Sequence, residues 1–269
     1  MEIQTGKQLR RTIASPIALI ALLVVVLGAA IAGGIAAGAT VAAIAAAAAA
    51  LFWFLTVLGV AMRRAQSAFY AAYAKQRGLT WARHSTVPPA TPLLRRGDTR
   101  RVDESFVGTL PGGLSGQLAL YTYEERSGGG SGGQAKELHH FTVVLSELPG
   151  LEARLPGLFV QRRSGFRFLD GAEDVFRSNE RIQLESDVLD RKCEIFADRR
   201  CDANWLRQLF SPSFIDFLAE GSPEGFAFEV ENGTLCVNVN RYRGKANELD
   251  ELCTAAAAVA TRITDEAAE

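Results

Sequence analysis

The sequence predicts an α+β protein, with an N-terminal transmembrane helical hairpin followed by a mainly antiparallel sheet with about three helices packed on it. Three observations support this prediction. Residues 12–62 contain no charged side chain. From Glu104 onward, segments with strand-like alternation are separated by turn signals. Residues 247–263 carry an apolar stripe at helical spacing, which predicts a C-terminal helix lying across the sheet.

The uncharged stretch is too long for one membrane span. Its 51 residues would form a helix of about 76 Å, whereas the hydrocarbon core of a bilayer is about 30 Å thick. We therefore predict two spans within 12–62, with the turn near 33–40. Gly33, Gly34 and Gly38 supply backbone freedom for this turn. Gly34 and Gly38 also have the spacing that lets two membrane helices approach closely, and the sequence leaves both roles open.

Arginine pairs predict the orientation of the hairpin. They flank the uncharged stretch on both sides, as Arg10, Arg11, Arg63 and Arg64. Because flanking cations favour the cytoplasmic side, we expect an integral plasma (inner) membrane protein with both termini cytoplasmic. Ala30-Ile31-Ala32 resembles a signal-peptide cleavage site, so cleavage of the first segment is an open alternative. With or without cleavage, residues 63–269 would face the cytoplasm.

These signals divide the chain into five regions. No helix breaker follows the second span before Gly78, which predicts a helical connector. Prolines then predict an irregular linker ahead of the folded domain. The predicted regions are the cytoplasmic N-terminus 1–11, the hairpin 12–62, the connector 63–78, the linker 79–103 and the cytoplasmic α+β domain 104–269.

Two turns and two helix starts are predicted inside the domain. Pro111 and Gly112 suit the central positions of a turn between strands. Asn232-Gly233 is the preferred dipeptide of a two-residue hairpin and sets the register. The expected pairs are Glu231 with Thr234, Val230 with Leu235, Phe228 with Val237 and Phe226 with Val239. Asp202 is a predicted cap of one helix, and Ser211 with Pro212 a predicted start of the next.

The order of these elements resembles that of a known family. The matching features are a strand pair with a polar loop, a Leu-Glu-Ser strand, a strand running into a helix, and a helix started by proline. In this chain they are Gly116–Glu125 with Glu137–Leu148, Leu184-Glu185-Ser186, Ile195–Leu209 and Pro212–Leu218. The chain is similar to a bacterial family of two-span membrane proteins with a cytoplasmic α+β domain of unknown function. The resemblance implies the hairpin anchor and the cytoplasmic side, and it implies no catalytic residue.

Charge and motifs exclude several functions. Residues 85–269 hold 21 basic and 29 acidic side chains, a net charge of −8, which disfavours binding to nucleic acid. His139 and His140 are adjacent in a strand and should point to opposite faces, so no metal site is predicted. No catalytic or cofactor motif is present. The four cysteines contain no C-x-x-C pair. Four cysteines are enough to form a disulfide, so one is possible, although the reducing compartment expected for this domain disfavours it.

Three functions remain, and we predict the first. It is a non-enzymatic interaction or scaffold module, anchored in the bilayer and binding a protein partner at the cytoplasmic face. The alternatives are a lipid-binding domain at the inner membrane face and an enzyme acting on a membrane substrate. We predict no cofactor, no catalytic residue and no nucleic-acid partner. The sequence does not indicate the oligomeric state.

Overall fold

The structure is a computed structural model that describes residues 16–127, 135–162, 179–184 and 186–268. The chain divides into two units, Met1–Tyr73 and Ala74–Glu269. Arg10 and Arg11, predicted to flank the membrane, lie outside the described residues. So do residues 128–134, which make up most of the polar loop predicted between Glu125 and Glu137.

The first unit is helical. Helix α1 spans Pro16–Ala37 and includes Gly33 and Gly34, and helix α2 begins at Ala39 and continues to Arg77. Gly38 separates them with a backbone φ of +89°, in the left-handed region that favours glycine. Among the described helices, α2 is the one long and apolar enough to cross a membrane by length and composition. The two-span hairpin itself stays a prediction.

Helix α2 is longer than a bilayer is thick. Its 39 residues measure about 58 Å, against a hydrocarbon core of about 30 Å. The residues before Arg63 are uncharged, whereas Arg63 and Arg64 are exposed on the next turn. The helix ends at Gly78, whose φ is +66°, and the Leu79 N–H donates to the Ala74 carbonyl at 3.0 Å. A glycine in this conformation is a common helix terminator.

The second unit is built on one antiparallel sheet. The strands that the structure describes occur in the order β1-β2-β3-β4-β9-β8-β5-β7-β6. Their bounds are β1 Thr80–Arg83, β2 Thr99–Thr109, β3 Ser115–Ser127, β4 Ala135–Glu147, β5 Gly157–Arg162, β6 Asn179–Ile182, β7 Cys193–Asp198, β8 Phe226–Glu231 and β9 Thr234–Asn240. The late strands β8 and β9 therefore lie at the centre, between β4 and β5.

The helices of this unit exceed the number expected. About three were predicted, whereas the described part of the unit has five α-helices. They are α3 Pro92–Arg95, α4 Asp187–Lys192, α5 Ala203–Leu209, α6 Pro212–Asp216, which runs into a π-helical turn at Phe217–Gly221, and α7 Ala246–Ala268. The α+β class is confirmed. The sequence analysis missed α3 and α4 because single-turn helices are too short to show helical periodicity.

Both predicted turns are confirmed. Asn232 and Gly233 have φ values of 48° and 78°, and the four expected pairs between β8 and β9 are the observed ones. At the other turn, the Gly113 N–H donates to the Leu110 carbonyl at 3.0 Å, and Gly112 has a φ of +90°. Both turns place glycine or asparagine, the residues that best tolerate a positive φ, where φ is positive, which is why local sequence was sufficient to predict them.

The predicted helix starts are confirmed in position. The Asp202 carboxylate accepts from the N–H groups of Asn204 and Trp205, at 2.7 and 3.3 Å. Ser211 and Pro212 begin α6, although the Ser211 side chain makes no cap hydrogen bond. The predicted stripe of α7 is buried, and α7 packs against β4, β9 and α5. We call this side of the sheet the helix face.

The predicted linker 79–103 is wrong. This segment belongs to the folded unit, since it forms β1, α3 and the start of β2, and Leu93 and Leu94 are fully buried. Residues 85–96, which we call the strap, lie across the side of the sheet opposite the helix face. The prolines interrupt any helical or strand-like periodicity in this segment. The leucines among them are nevertheless as buried as core residues. The strap is therefore the second layer on the sheet, and we call the side beneath it the strap face.

Candidate binding site under the strap

The strap packs on a continuous apolar cluster. Leu93 and Leu94 contribute to this cluster from α3, and Val87 packs against it. The sheet contributes Val102, Ala119, Tyr121, Tyr123, Phe141, Val143, Leu145, Phe159, Phe196, Ala227 and Cys236. Burial of this area from water is the main force that holds the strap in place.

Polar contacts fix the strap at α3. The Leu93 N–H donates to the Glu229 carboxyl, 3.0 Å from Oε1 and 3.3 Å from Oε2. The Tyr121 hydroxyl donates to the Leu94 carbonyl at 3.3 Å. At the edge, an Arg95 Nη2 donates to Glu231 Oε2 at 2.6 Å. The first N–H groups of a helix have no partner inside the helix, so Glu229 satisfies a donor that would otherwise be lost on burial.

Glu229 is the unusual group of this site, because its side chain is completely buried on the strap face of β8. Burial raises the pKa of Glu229 from 4.5 to about 8, while the Leu93 N–H that donates to the carboxyl partly offsets that rise. Cys236 stands opposite it in the ladder, and burial raises the pKa of its thiol as well. The carboxyl is therefore mostly protonated near pH 7, and the polar cluster under the strap is close to neutral.

A cavity of about 180 Å³ opens between the strap and strands β2 and β3. Its apolar wall includes Val87, Leu94 and Val102, and its polar wall includes Arg100, Arg101 and Ser85. Both arginines are exposed, whereas Leu94 and Val102 are buried. The cavity thus joins a cationic rim to an apolar floor.

A second polar cluster lies on the helix face of the sheet, at its edge. The Tyr242 hydroxyl donates to Asp103 Oδ2 at 2.5 Å and lies 2.5 Å from Thr122 Oγ1. Thr122 Oγ1 is in turn 2.8 Å from His140 Nδ1. Burial and the Asp103 carboxylate raise the pKa of Tyr242, so the phenol stays protonated and serves as a donor. This chain of hydrogen bonds ties β2, β3 and β4 to the segment after β9.

The two histidines behave as the sequence predicted. The His139 ring lies 4.8 Å from the Tyr123 ring on the strap face, whereas the His140 ring lies 4.9 Å from the Tyr242 ring on the helix face. In the part of the chain that the structure describes, no group of three or more potential metal ligands is found. The four cysteines, all described, are free thiols.

The other predicted site residues belong to the first unit. Arg63 and Arg64 are exposed on α2, and Gly38 lies between α1 and α2 with open space where a side chain would be. Gly33 and Gly34 lie within α1 rather than at the helix break. Their roles at a membrane stay predictions.

Sequence analysis missed Glu229 and the strap. The pairs predicted from Asn232-Gly233 place Phe226, Phe228 and Val230 on one face of β8, and a sheet with one buried side would leave Glu229 on the solvent side. One signal was available: Val143, Val144 and Leu145 form an uninterrupted apolar run in β4, and such a run indicates a strand buried on both faces.

Comparison with known proteins adds little to this description. No protein-family model matches the sequence, and no curated protein matches it. Among solved structures, the chain is similar to the crystal structure of the mycobacterial trehalose monomycolate transport factor A, TtfA. The TM-score is 0.43 and the sequence identity 10%, over 76% of this chain and 94% of that chain. A likeness at this level carries no functional argument, and the family resemblance in the sequence stays a prediction.

Proposed function

We propose that this chain is a membrane-anchored, non-enzymatic binding module whose α+β domain meets a protein partner at the cytoplasmic face. The observation that carries the proposal is helix α2, which is long and apolar enough to span a bilayer and continues into exposed arginines. The positive-inside rule then assigns the domain to the cytoplasmic side. Reproducible recovery of one partner with the full-length protein from mild detergent supports the proposal, and failure to recover any partner counts against it.

The first test concerns the anchor and its orientation. A fluorescent reporter fused after Glu269 should fluoresce, and alkaline phosphatase at the same position should be inactive, because the domain is expected in the cytoplasm. The full-length protein should stay in the membrane pellet after carbonate extraction. Active phosphatase after Glu269 would contradict the cytoplasmic domain, and release by carbonate would contradict the anchor.

The double variant Leu51→Arg/Leu55→Arg tests the hairpin. Nine strongly apolar residues of the second span together favour insertion by roughly 4 kcal/mol: Val41, Ile44, Leu51, Phe52, Phe54, Leu55, Val57, Leu58 and Val60. The variant removes two of them, and each arginine that it places at the centre opposes insertion by about 3 kcal/mol. We expect α2 to leave the membrane, so that the remaining first span carries the domain to the other side and C-terminal phosphatase becomes active. The control Leu51→Val/Leu55→Val should behave as wild type. Release of the arginine variant into the soluble fraction would refute the hairpin and leave α2 as the anchor.

Lipid binding at the inner membrane face is a second candidate function. The cavity beside the strap favours it, because an arginine at the rim, Arg100, and an apolar floor match an amphiphile. Known small-molecule sites have volumes of about 300–1,000 Å³, so a cavity of about 180 Å³ would hold only part of a lipid.

A further inference from the structure

The charge of the cavity differs from that of its surroundings. Residues 85–269 carry eight more acidic than basic side chains, as the difference between 29 and 21 shows. The residues that line the cavity nevertheless include no carboxylate, and Arg100 lies on the strap face of β2, opposite Tyr123. A local positive potential in an acidic domain selects for anions, because the surrounding surface repels them.

Arg100 is positioned by a contact that leaves donors for a ligand. Its Nη1 donates to the Arg95 carbonyl at 2.8 Å, whereas Arg101, the next residue of β2, points to the other face and pairs with Asp103. A guanidinium carries five N–H donors, and a planar pair of them matches an oxyanion. Ordering by this hydrogen bond lowers the entropy that the Arg100 side chain would lose on binding.

A buried hydroxyl and an apolar floor complete the cavity. Ser85 lines it, and the Ser85 Oγ is buried with no hydrogen-bond partner in the described structure. A buried polar atom without a partner is costly, so a ligand or water that reaches it is stabilised. Val87, Leu94 and Val102 form the floor, which removes apolar atoms of a ligand from water.

From these features we propose that the cavity binds an oxyanion attached to an alkyl chain, with the oxyanion on Arg100 and Ser85 and the first carbons on the apolar floor. This inference rests on the lipid-binding candidate above and names its site and ligand chemistry. The volume limits the bound part. An apolar cavity of about 150 Å³ holds one benzene, so a cavity of about 180 Å³ holds the head-proximal carbons while the rest of the chain projects outward.

The test uses hexyl phosphate, which is short enough to stay in solution. The full-length protein is placed in phosphatidylcholine nanodiscs and equilibrated by dialysis against labelled hexyl phosphate, with empty nanodiscs subtracted. We expect saturable binding that weakens as salt is raised. Binding should strengthen about fourfold per methylene from ethyl to butyl phosphate and then level off as the floor is covered. Inorganic phosphate should bind at least tenfold more weakly.

Three variants locate the site. Arg100→Gln should weaken binding at least tenfold, and Thr86→Trp should block the rim without altering the core, because Thr86 is exposed. Arg126→Gln is the matched control. Its side chain is 47% exposed, and Arg126 does not line the cavity. The control should bind as wild type, and an unchanged far-ultraviolet circular dichroism spectrum confirms that each variant folds.

Several results would overturn the proposal. They are no saturable binding, equal binding of hexyl phosphate and inorganic phosphate, equal binding of hexyl phosphate and hexanol, or wild-type affinity in both site variants. If phosphatidic acid placed in the nanodisc competes with hexyl phosphate, the natural oxyanion is a membrane headgroup. If it does not compete, the natural ligand is a soluble alkyl phosphate. Either source agrees with the proposed chemistry. Failure of the anchor would appear in the carbonate and reporter experiments, which do not depend on hexyl phosphate.

Discussion

The variant Glu229→Gln is expected to unfold at higher urea concentration than wild type at pH 8 and above, and to lose most of the pH dependence of stability. The folded carboxyl keeps its proton up to a pKa of about 8, whereas the ordinary pKa of a glutamate exposed in the unfolded chain is 4.5. Between these values unfolding releases a proton, so the free energy of unfolding falls by about 1.4 kcal/mol per pH unit as the pH rises. Above pH 8 the carboxyl is ionised in both states, and the folded state is destabilised by the full cost of burying its charge. Below pH 4.5 the carboxyl is protonated in both states and causes no such loss of stability.

The surroundings of Glu229 make glutamine the informative replacement. Its amide oxygen still accepts from the Leu93 N–H, so the strap keeps its contact. The charged neighbours are few: Glu231 raises the carboxyl pKa and Arg95 lowers it. Removing the carboxyl therefore removes the titration and little of the packing.

The measurement is urea unfolding of the full-length protein in detergent at pH 5 to 9, followed by tryptophan fluorescence. Glu231→Gln is the control, because Glu231 is partly exposed and its pair with Arg95 is a surface ion pair worth about 1 kcal/mol or less. Wild type and control should weaken in parallel from pH 5 to pH 8. Equal slopes for wild type and Glu229→Gln would show that the buried carboxyl does not titrate in this range.

The variant Gly116→Ala is expected to cost about 3 kcal/mol or more of unfolding free energy, because a methyl group has no room there. Gly116 lies in β3, and an added Cβ would approach the backbone carbonyl oxygen of Leu145 in β4 more closely than real Cβ atoms do. A carbonyl in a ladder cannot rotate away, so the two strands would have to separate. The expected result is a much lower urea midpoint or an insoluble protein.

Gly221→Ala is the matched control for this substitution. A Cβ at Gly221 would meet the Phe217 ring at 3.4 Å, which is ordinary contact. Neither glycine has a positive φ, so the two variants differ in the space around the methyl group rather than in backbone preference. The control should change stability by less than about 1 kcal/mol, since alanine also lowers the entropy of the unfolded chain. Similar losses in both variants would contradict the steric explanation.

Local signals predicted the elements that depend on neighbouring residues. The register of β8 and β9 follows from Asn232-Gly233, and the start of α5 follows from Asp202, because each signal acts within a few residues. The buried stripe of α7 is predicted by the helical spacing of its apolar residues alone. The class of the domain was therefore available from sequence, whereas the membrane hairpin stays a prediction.

Non-local contacts explain what sequence analysis missed. Glu229 is buried because Leu93, which lies 136 residues earlier in the chain, covers it. The cavity exists because the strap crosses β2 and β3, and no period in residues 85–96 indicates that path. A carboxylate in an alternating strand normally predicts a solvent-facing side, and only the second layer on the sheet reverses that assignment.

The central position of β9 makes completion of the domain a late event in synthesis. Strand β4 ends at Glu147, but its partner β9 begins at Thr234, after most of the chain has been made. Until then, the meander of β1 to β4 has an open edge that carries Val143, Val144 and Leu145, and such edges are prone to aggregate. If α2 inserts as it emerges, the unfinished sheet is held at the membrane. Ribosome-bound chains that stop before Thr234 should accordingly be more sensitive to protease than chains that extend past Ala268.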